Sequence, residues 1–326
     1  MQTVKVSARI FCCLAAFAAA ACNDVAFIED FLPEVPDIVL DAENSSAVIE
    51  FEADNWDIAG VRNGISYINA TIFDLEGRET GTDFRLEGLG KMVYDLDWYS
   101  FSIGRDAPDR LEITLTENLF DYPVYLELRV GNEFEAKTMK LTLGPTPKYE
   151  IESVEYRWED FRWSGDVPEF QELVLKEVFT VDNSTGGEAL EVTVKPYSDV
   201  WREIAFMDET GTTQSDFLHI FGDRPPLISI PEVSGGQPVS GGPEVEFSLE
   251  PQLLDCGLDP GHVETAVVGP GLVRDIHVYL EVETYSVPYT VTAKSPFSGK
   301  TRSFSGLLVS TLPRGCLVLP LEPSAP

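Results

Sequence analysis

Apolar and polar side chains alternate along most of this chain. Leu111-Glu112-Ile113-Thr114-Leu115-Thr116 alternates without interruption, and so does Val124-Tyr125-Leu126-Glu127-Leu128-Arg129-Val130. Met139-Lys140-Leu141-Thr142-Leu143 follows after a turn at Gly131-Asn132. A period of two puts apolar side chains on one face of a sheet and polar ones on the other. From Val48 onward such runs are punctuated by Gly, Pro and the pair Asn63-Gly64, which predicts antiparallel strands packed as a sandwich. No segment shows a convincing amphipathic helical period. The expected fold class is all-β, with two antiparallel β-sandwich-type domains.

Gly144-Pro145-Thr146-Pro147 interrupts the alternation. Two prolines in four residues cannot donate to a central strand, so the domain boundary is expected here, with a first domain over 41–144 and a second over 149–318. In the second, Val174 to Val181 and Ala189 to Val194 read as strands joined through Asn183-Ser184-Thr185-Gly186-Gly187. Residues 208–243 change character, with Pro225, Pro226, Pro231, Pro238 and Pro243 beside Gly235-Gly236 and Gly241-Gly242. This predicts a long irregular excursion of the kind that carries function or mobility. Strands resume at Val245 to Leu249, Ile276 to Val282, Tyr289 to Ala293 and Ser303 to Val309, and a proline-rich tail is expected over 319–326.

The N-terminus follows a different rule. Lys5 and Arg9 precede an unbroken apolar and small-residue run from Ile10 to Ala21. As a helix these twelve residues span about 18 Å, short of the roughly 30 Å bilayer core. A charged start, a short apolar stretch and small residues before a cut site predict a signal peptide over 1–21. Ala19-Ala20-Ala21-Cys22 resembles the lipobox of bacterial lipoproteins, with Ala19 where that family more often carries Leu. The resemblance implies cleavage before Cys22 and acylation of its thiol and amine; cleavage after Ala18-Ala19-Ala20 is the alternative. Cys12 and Cys13 leave with the signal, so Cys22, Cys256 and Cys316 remain, an odd count in an oxidising compartment. Lipidation of Cys22 removes the odd one and leaves a candidate Cys256–Cys316 disulfide. Residues 22–40, acidic and broken by Pro33 and Pro36, are expected to form a tether. With Asp24 beside the cysteine they resemble the surface-export signal of Bacteroidota lipoproteins. The implied location is the outer membrane, facing the exterior, with the periplasmic face as the alternative.

Charge narrows the partners. The chain carries 23 Lys and Arg against 55 Asp and Glu, a net charge of −32. Loss of residues 1–21 removes Lys5 and Arg9 and no acid, leaving 21 − 55 = −34. Binding a phosphate backbone needs Lys and Arg to displace counterions, so nucleic acid is not an expected partner. An anionic lipid surface would repel the domains, and membrane contact is expected through the anchor alone. No Asp-x-Asp-x-Asp-Gly calcium loop is present.

Two further resemblances concern the domains. Trp98-Tyr99-Ser100-Phe101-Ser102-Ile103, the alternating strand ending at Asn118 and the strand up to Val130 resemble the BACON-type sandwich modules of Bacteroidota surface lipoproteins. The closing strand, Met139 to Leu143, lacks that family's usual terminal Gln. In the second domain, Phe179-Thr180-Val181-Asp182-Asn183-Ser184-Thr185 resembles the Asn-Thr turn of aerolysin/ETX-type β-proteins. Val268-Gly269-Pro270-Gly271 and Val287-Pro288-Tyr289-Thr290 are similar to that family's later motifs. The resemblance implies long twisted strands and a membrane-inserting hairpin, which would fall in 208–243. The prolines and Gly pairs there break the 9–11 alternating residues a membrane strand needs.

The densest aromatic cluster is Tyr156-Arg157-Trp158 with Phe161-Arg162-Trp163. Exposed, Tyr156, Trp158, Phe161 and Trp163 would stack on sugar rings, in keeping with the carbohydrate association of BACON-type modules. Buried, they form the core of the second domain, which is the expectation because buried aromatics dominate core packing. His219, His262 and His277 show no metal-ligand spacing with one another, and no metal or other cofactor is expected. There is no Gly-x-Ser-x-Gly elbow and no paired-carboxylate signature, so catalytic residues are not assigned. The function expected is that of a non-catalytic surface lipoprotein that binds a glycan or a protein. An aerolysin-type membrane-active protein and a hydrolase are the alternatives.

Overall fold

Strands hold 59% of the chain and helix 4%, so the all-β class follows directly from the alternation. The computed structural model describes residues 30–32, 34–132, 134–164, 172–234 and 237–323. The expected signal peptide, Cys22 and residues 23–29 lie outside the described residues. The chain divides into two units, Met1–Thr146 and Pro147–Pro326.

The first unit contains β1 (Asp37–Leu40), β2 (Ser46–Glu50), β3 (Asp57–Asn63), β4 (Ser66–Ile68), β5 (Ala70–Phe73) and β6 (Glu79–Asp83). It continues with β7 (Gly90–Asp95), β8 (Tyr99–Ala107), β9 (Arg110–Asn118), β10 (Val124–Gly131) and β11 (Ala136–Leu143). They form two sheets, ordered β1-β11-β10-β3-β4 and β2-β9-β8-β7-β5-β6. Pairing is antiparallel except for β1, which runs parallel to β11. Every second residue of β9 and β10 is buried, among them Leu111, Ile113, Leu126 and Leu128. The Tyr94 hydroxyl of one sheet reaches the Val61 backbone of the other. Gly64, at φ +60°, opens the two-residue loop between β3 and β4, as a primed hairpin turn requires. Asn118 fastens the sheet ends together. Its amide donates to the Tyr122 and Leu143 carbonyls at 3.1 and 2.9 Å, and its carbonyl accepts from the Phe120 N–H at 3.1 Å.

The expected tether over 22–40 is corrected in its described part. Phe31 and Leu32 are buried, the Phe31 ring stacks on Phe51 at 6.2 Å, and Phe51 stacks on Trp56 at 3.8 Å. The Glu52 N–H also donates to the Phe31 carbonyl at 3.0 Å. Apolar side chains at Phe31, Leu32, Ile38 and Leu40 gain more by joining the core than an acidic, proline-broken composition suggests.

The second unit opens with β12 (Glu150–Tyr156), β13 (Arg162–Trp163), β14 (Glu172–Asn183), β15 (Leu190–Val194), β16 (Arg202–Asp208) and the helix α1 (Gln214–Phe221). Short strands follow: β17 (Leu227–Ser229), β18 (Glu232–Ser234), β19 (Gln237–Val239), β20 (Glu244–Glu246), β21 (Gln252–Leu254) and β22 (Glu264–Val268). Two long strands close it, β23 (Leu272–Lys294) and β24 (Thr301–Leu321). The main sheet is ordered β12-β23-β24-β16-β21, with β13 and β14 also paired to β23. Small two-stranded sheets, β15–β22, β17–β20 and β18–β19, complete the unit.

Three sequence expectations change here. Ile276–Val282 and Tyr289–Ala293 belong to one 23-residue strand, not two. The tail expected over 319–326 is strand as far as Leu321, with Pro320 paired opposite Ile276. The excursion holds a helix, where none was expected. Thr213 caps α1 through the Asp216 N–H while the Asp216 carboxylate accepts from the Thr213 N–H, a reciprocal capping box. Phe217, Ile220 and Phe221 then lie on one buried face, spaced three and four residues apart. That face meets Phe247 and Phe304, with Phe217–Phe247 ring centroids at 4.9 Å and Phe217–Phe304 at 5.3 Å. The rest of the described part of 208–243 carries three-residue strands and no long hairpin. The long strands of this unit are β14, β23 and β24.

Candidate functional site

The edge of the main sheet carries the most distinctive surface. β12 is the outermost strand, and the β17–β20 ribbon lies beside it. Between them runs a groove of about 620 Å³, lined by Ile151, Val154, Tyr156 and Trp158 on one side and by Leu227, Ile230 and Pro231 on the other. Glu155, Ser229 and Ser240 supply its polar groups. Local geometry explains the aromatic wall. β12 ends at Tyr156 and the chain turns through a 3-10 turn at Trp158–Asp160, which swings the indole out beside the Tyr156 ring. The two rings are tilted at 53° with centroids 5.9 Å apart, and Trp158 is 39% exposed. The Tyr156 hydroxyl donates to the Ser229 carbonyl at 3.0 Å, tying the aromatic wall to the opposite ribbon. Burial, and then the nearby Tyr285 and Tyr289 phenols, raise the Tyr156 phenol above its ordinary value, so it acts as a neutral donor.

The expectation that Tyr156, Trp158, Phe161 and Trp163 form the core is therefore corrected. None of the four is fully buried: the turn after Tyr156 takes Trp158 off β12, and Trp163 returns to the sheet half-buried on β13, paired to β23. The structure separates them into two pairs. Tyr156 and Trp158 face the groove, whereas Phe161 and Trp163 pack edge to face at 5.3 Å and both contact the Tyr285 ring.

Beneath the groove lies a polar knot. Arg202 of β16 has a side chain only 4% exposed and makes four hydrogen bonds. Its Nε donates to Ser310 Oγ at 3.0 Å, and its two terminal nitrogens donate to Glu232 Oε2 at 2.9 Å, the Tyr285 hydroxyl at 3.0 Å and the Pro231 carbonyl at 3.3 Å. The Tyr285 hydroxyl donates to that same Pro231 carbonyl at 2.7 Å. Pro231 lines the groove, so the knot fixes the wall opposite Trp158 to the main sheet.

A second depression, about 490 Å³, lies on the first unit and is lined by Phe73, Leu75, Lys91, Val93, Asp106 and Glu112 among others. Its aromatic residue, Phe73, is half-buried.

The candidate disulfide is corrected as well. Cys256 and Cys316 are both free thiols directed to different partners. The Cys256 thiol donates to the Val200 carbonyl at 3.4 Å, while Cys316 stands on β24 opposite Leu280 and hydrogen-bonds the Tyr197 hydroxyl. Around Cys316 the fold assembles His262 and Glu264, which sequence spacing does not connect to it; one donor atom from each of the three lies within 4.8 Å of the others. His219 falls in the last turn of α1, and His277 on β23 pairs its Nδ1 with the Tyr279 hydroxyl at 3.2 Å.

The sequence matches no protein-family model, and no curated protein matches it. Among solved structures, the chain is similar to the crystal structure of lamprey immune protein, at TM-score 0.33 and 10% identity, covering 86% of this chain and 98% of that one. It is also similar to a "putative pore-forming toxin" from Bacteroides vulgatus ATCC 8482, at TM-score 0.16 and 10% identity, covering 89% of this chain and 90% of that one. Likeness at this level does not inform the chemistry of the groove.

Proposed function

We propose that this chain is a lipid-anchored binding protein whose second unit takes a carbohydrate in the groove beside Tyr156 and Trp158. The observation that carries this reading is the half-exposed Trp158 indole, set beside Tyr156 and facing a Pro231 wall that Arg202 and Tyr285 hold in place. A flat aromatic face flanked by Ser229, Ser240 and Glu155 offers stacking to the C–H face of a sugar ring and hydrogen bonds to its hydroxyls. A net charge of −32 favours a neutral glycan over an acidic one.

Two experiments test the two halves of this reading. On a glycan array, Trp158→Ala should weaken binding about 5- to 30-fold, from the loss of roughly 1–2 kcal/mol of stacking and burial. Absence of any glycan hit, or hits that survive Trp158→Ala undiminished, overturns the carbohydrate assignment. For the anchor, radiolabelled palmitate should enter the wild-type protein and not Cys22→Ser. Label retained by Cys22→Ser rules out acylation at that cysteine.

A further inference from the structure

The geometry points to a transition-metal site, best matched to Zn²⁺, built from His262, Glu264 and Cys316. Two separate parts of the second unit deliver the ligands. Glu264 begins β22, held in register by its pairing opposite Val194 of β15. His262 precedes it in a turn closed by its own N–H on the Asp259 carbonyl at 3.0 Å. Cys316 comes from β24, locked against Leu280 of β23. The His262 and Glu264 side chains are 41% and 44% exposed and Cys316 is half-buried, so the site opens to solvent on one side.

The distances suit one ion. Zinc bonds of about 2.1 Å to nitrogen and oxygen and about 2.3 Å to sulfur, at tetrahedral angles, place donor atoms about 3.4–3.6 Å apart. The three donors here already lie within 4.8 Å of one another, and His262 Nε2 and Glu264 Oε1 are hydrogen-bonded at 2.8 Å. Loading the site requires this pair to part by less than about 1 Å and the thiol to close in. The mixed nitrogen, oxygen and thiolate set is that of a borderline-soft ion, which separates it from calcium and magnesium with their all-oxygen shells. Three protein ligands leave a fourth position for water.

A supporting shell is present. The Tyr197 ring stacks on His262 at 5.2 Å and 26°, and its hydroxyl is bonded to the Cys316 thiol, so one side chain orients two ligands. Tyr197 sits in a turn that is itself clamped: Lys176 of β14 donates through Nζ to the carbonyls of Pro196 and Ser198. A ring, a hydroxyl and a clamped turn converging on a His–Glu–Cys cluster are more support than an exposed acidic surface would provide.

The test uses the full chain extracted in detergent, kept reduced with a phosphine, stripped with a chelator and titrated with Zn²⁺ against a chromophoric chelator. One equivalent should bind with micromolar or tighter Kd. Cys316→Ser and His262→Gln should each weaken it at least tenfold, and Tyr197→Phe, which keeps the ring and loses the hydroxyl, about tenfold. Cys256→Ser should bind as wild type. Co²⁺ added to the wild-type protein should give a thiolate-to-metal charge-transfer band in the near ultraviolet, absent from Cys316→Ser. Failure of the wild type to bind Zn²⁺ or to show the cobalt band overturns the site, as does undiminished affinity in Cys316→Ser. If Cys316→Ser does not fold, the wild-type cobalt band and the unchanged affinity of Cys256→Ser decide the matter between them.

Discussion

Arg202→Met should destabilise the second unit by about 3–4 kcal/mol and loosen the groove wall at Pro231. The side chain is 4% exposed and serves four acceptors at once: Ser310, Glu232, Tyr285 and Pro231. Methionine fills much of the volume but donates to none of them. Breaking a buried ion pair by removing one partner costs roughly 3–5 kcal/mol, since the remaining charge is left uncompensated. The lower part of that range applies because Glu232 is 34% exposed and water can solvate part of its carboxylate. Glu232→Gln should cost about 2 kcal/mol, because the amide oxygen keeps the hydrogen bond while the 4% exposed guanidinium loses its counter-charge. Arg202→Lys should fall between the two, because a single ammonium cannot reproduce the planar fork that reaches four acceptors. Urea unfolding of the three variants orders these costs. A loss below 1 kcal/mol for Arg202→Met would mean that the knot does not hold the groove, and the carbohydrate reading would lose its rigid wall.

Much of the fold was legible because its strands obey one rule over their whole length. In β10, and in β9 up to Glu117, the buried positions keep a single parity, so alternation in the sequence maps directly onto the sheet. β23 breaks that rule. Its buried residues are Ile276, Val278 and Val282 in the first half, then Tyr285, Val287, Tyr289, Val291 and Ala293 in the second. The parity flips between Val282 and Tyr285, close to where the pairing with β24 slips between Glu281 and Val282. Counting by twos finds two short strands with a gap where the molecule has one long strand with a bulge. The helix was missed for a different reason. Thr213, Asp216, Phe217, Ile220 and Phe221 carry a complete local signal, but it lasts only eight residues inside a proline- and glycine-rich stretch.

The candidate sites divide in the same way. Tyr156 and Trp158 were visible as a dense aromatic run, yet their exposure depended on a 3-10 turn that composition does not reveal. His262 and Glu264 stand two residues apart, but spacing does not join them to Cys316. The approach of Cys316 to that pair comes from β22 packing against β23 and β24, and so it exists only once the sheets are assembled.

Register also sets the sharpest steric demand in the molecule, at Gly306. This residue pairs with Asp208 of β16 on one side and with Tyr289 of β23 on the other, in the middle of the main sheet. A Cβ placed there would overlap the Met207 carbonyl oxygen, lie 2.9 Å from the Met207 carbonyl carbon and 3.0 Å from the Tyr289 hydroxyl. Neither neighbour is free to retreat. Met207 is part of β16, whose continuation is held by the Glu209 N–H on the Ser305 carbonyl at 2.9 Å, and Tyr289 packs edge to face against Phe206 and Phe247. Overpacking a well-filled site costs about 1–3 kcal/mol when side chains can yield, and more when backbone must move. Gly306→Ala is therefore expected to cost more than about 3 kcal/mol, lowering Tm by at least about 6–12 °C for a unit of this size, and Gly306→Val should prevent β16 from docking. Gly104 of β8 provides the control, because a methyl group added there would stand 4.0 Å from its nearest neighbour, the Glu112 carbonyl oxygen. Gly104→Ala should fall within about 0.5 kcal/mol of wild type. Equal melting temperatures for Gly306→Ala and Gly104→Ala would place β16 away from β24, and with it Arg202 and the groove wall it holds.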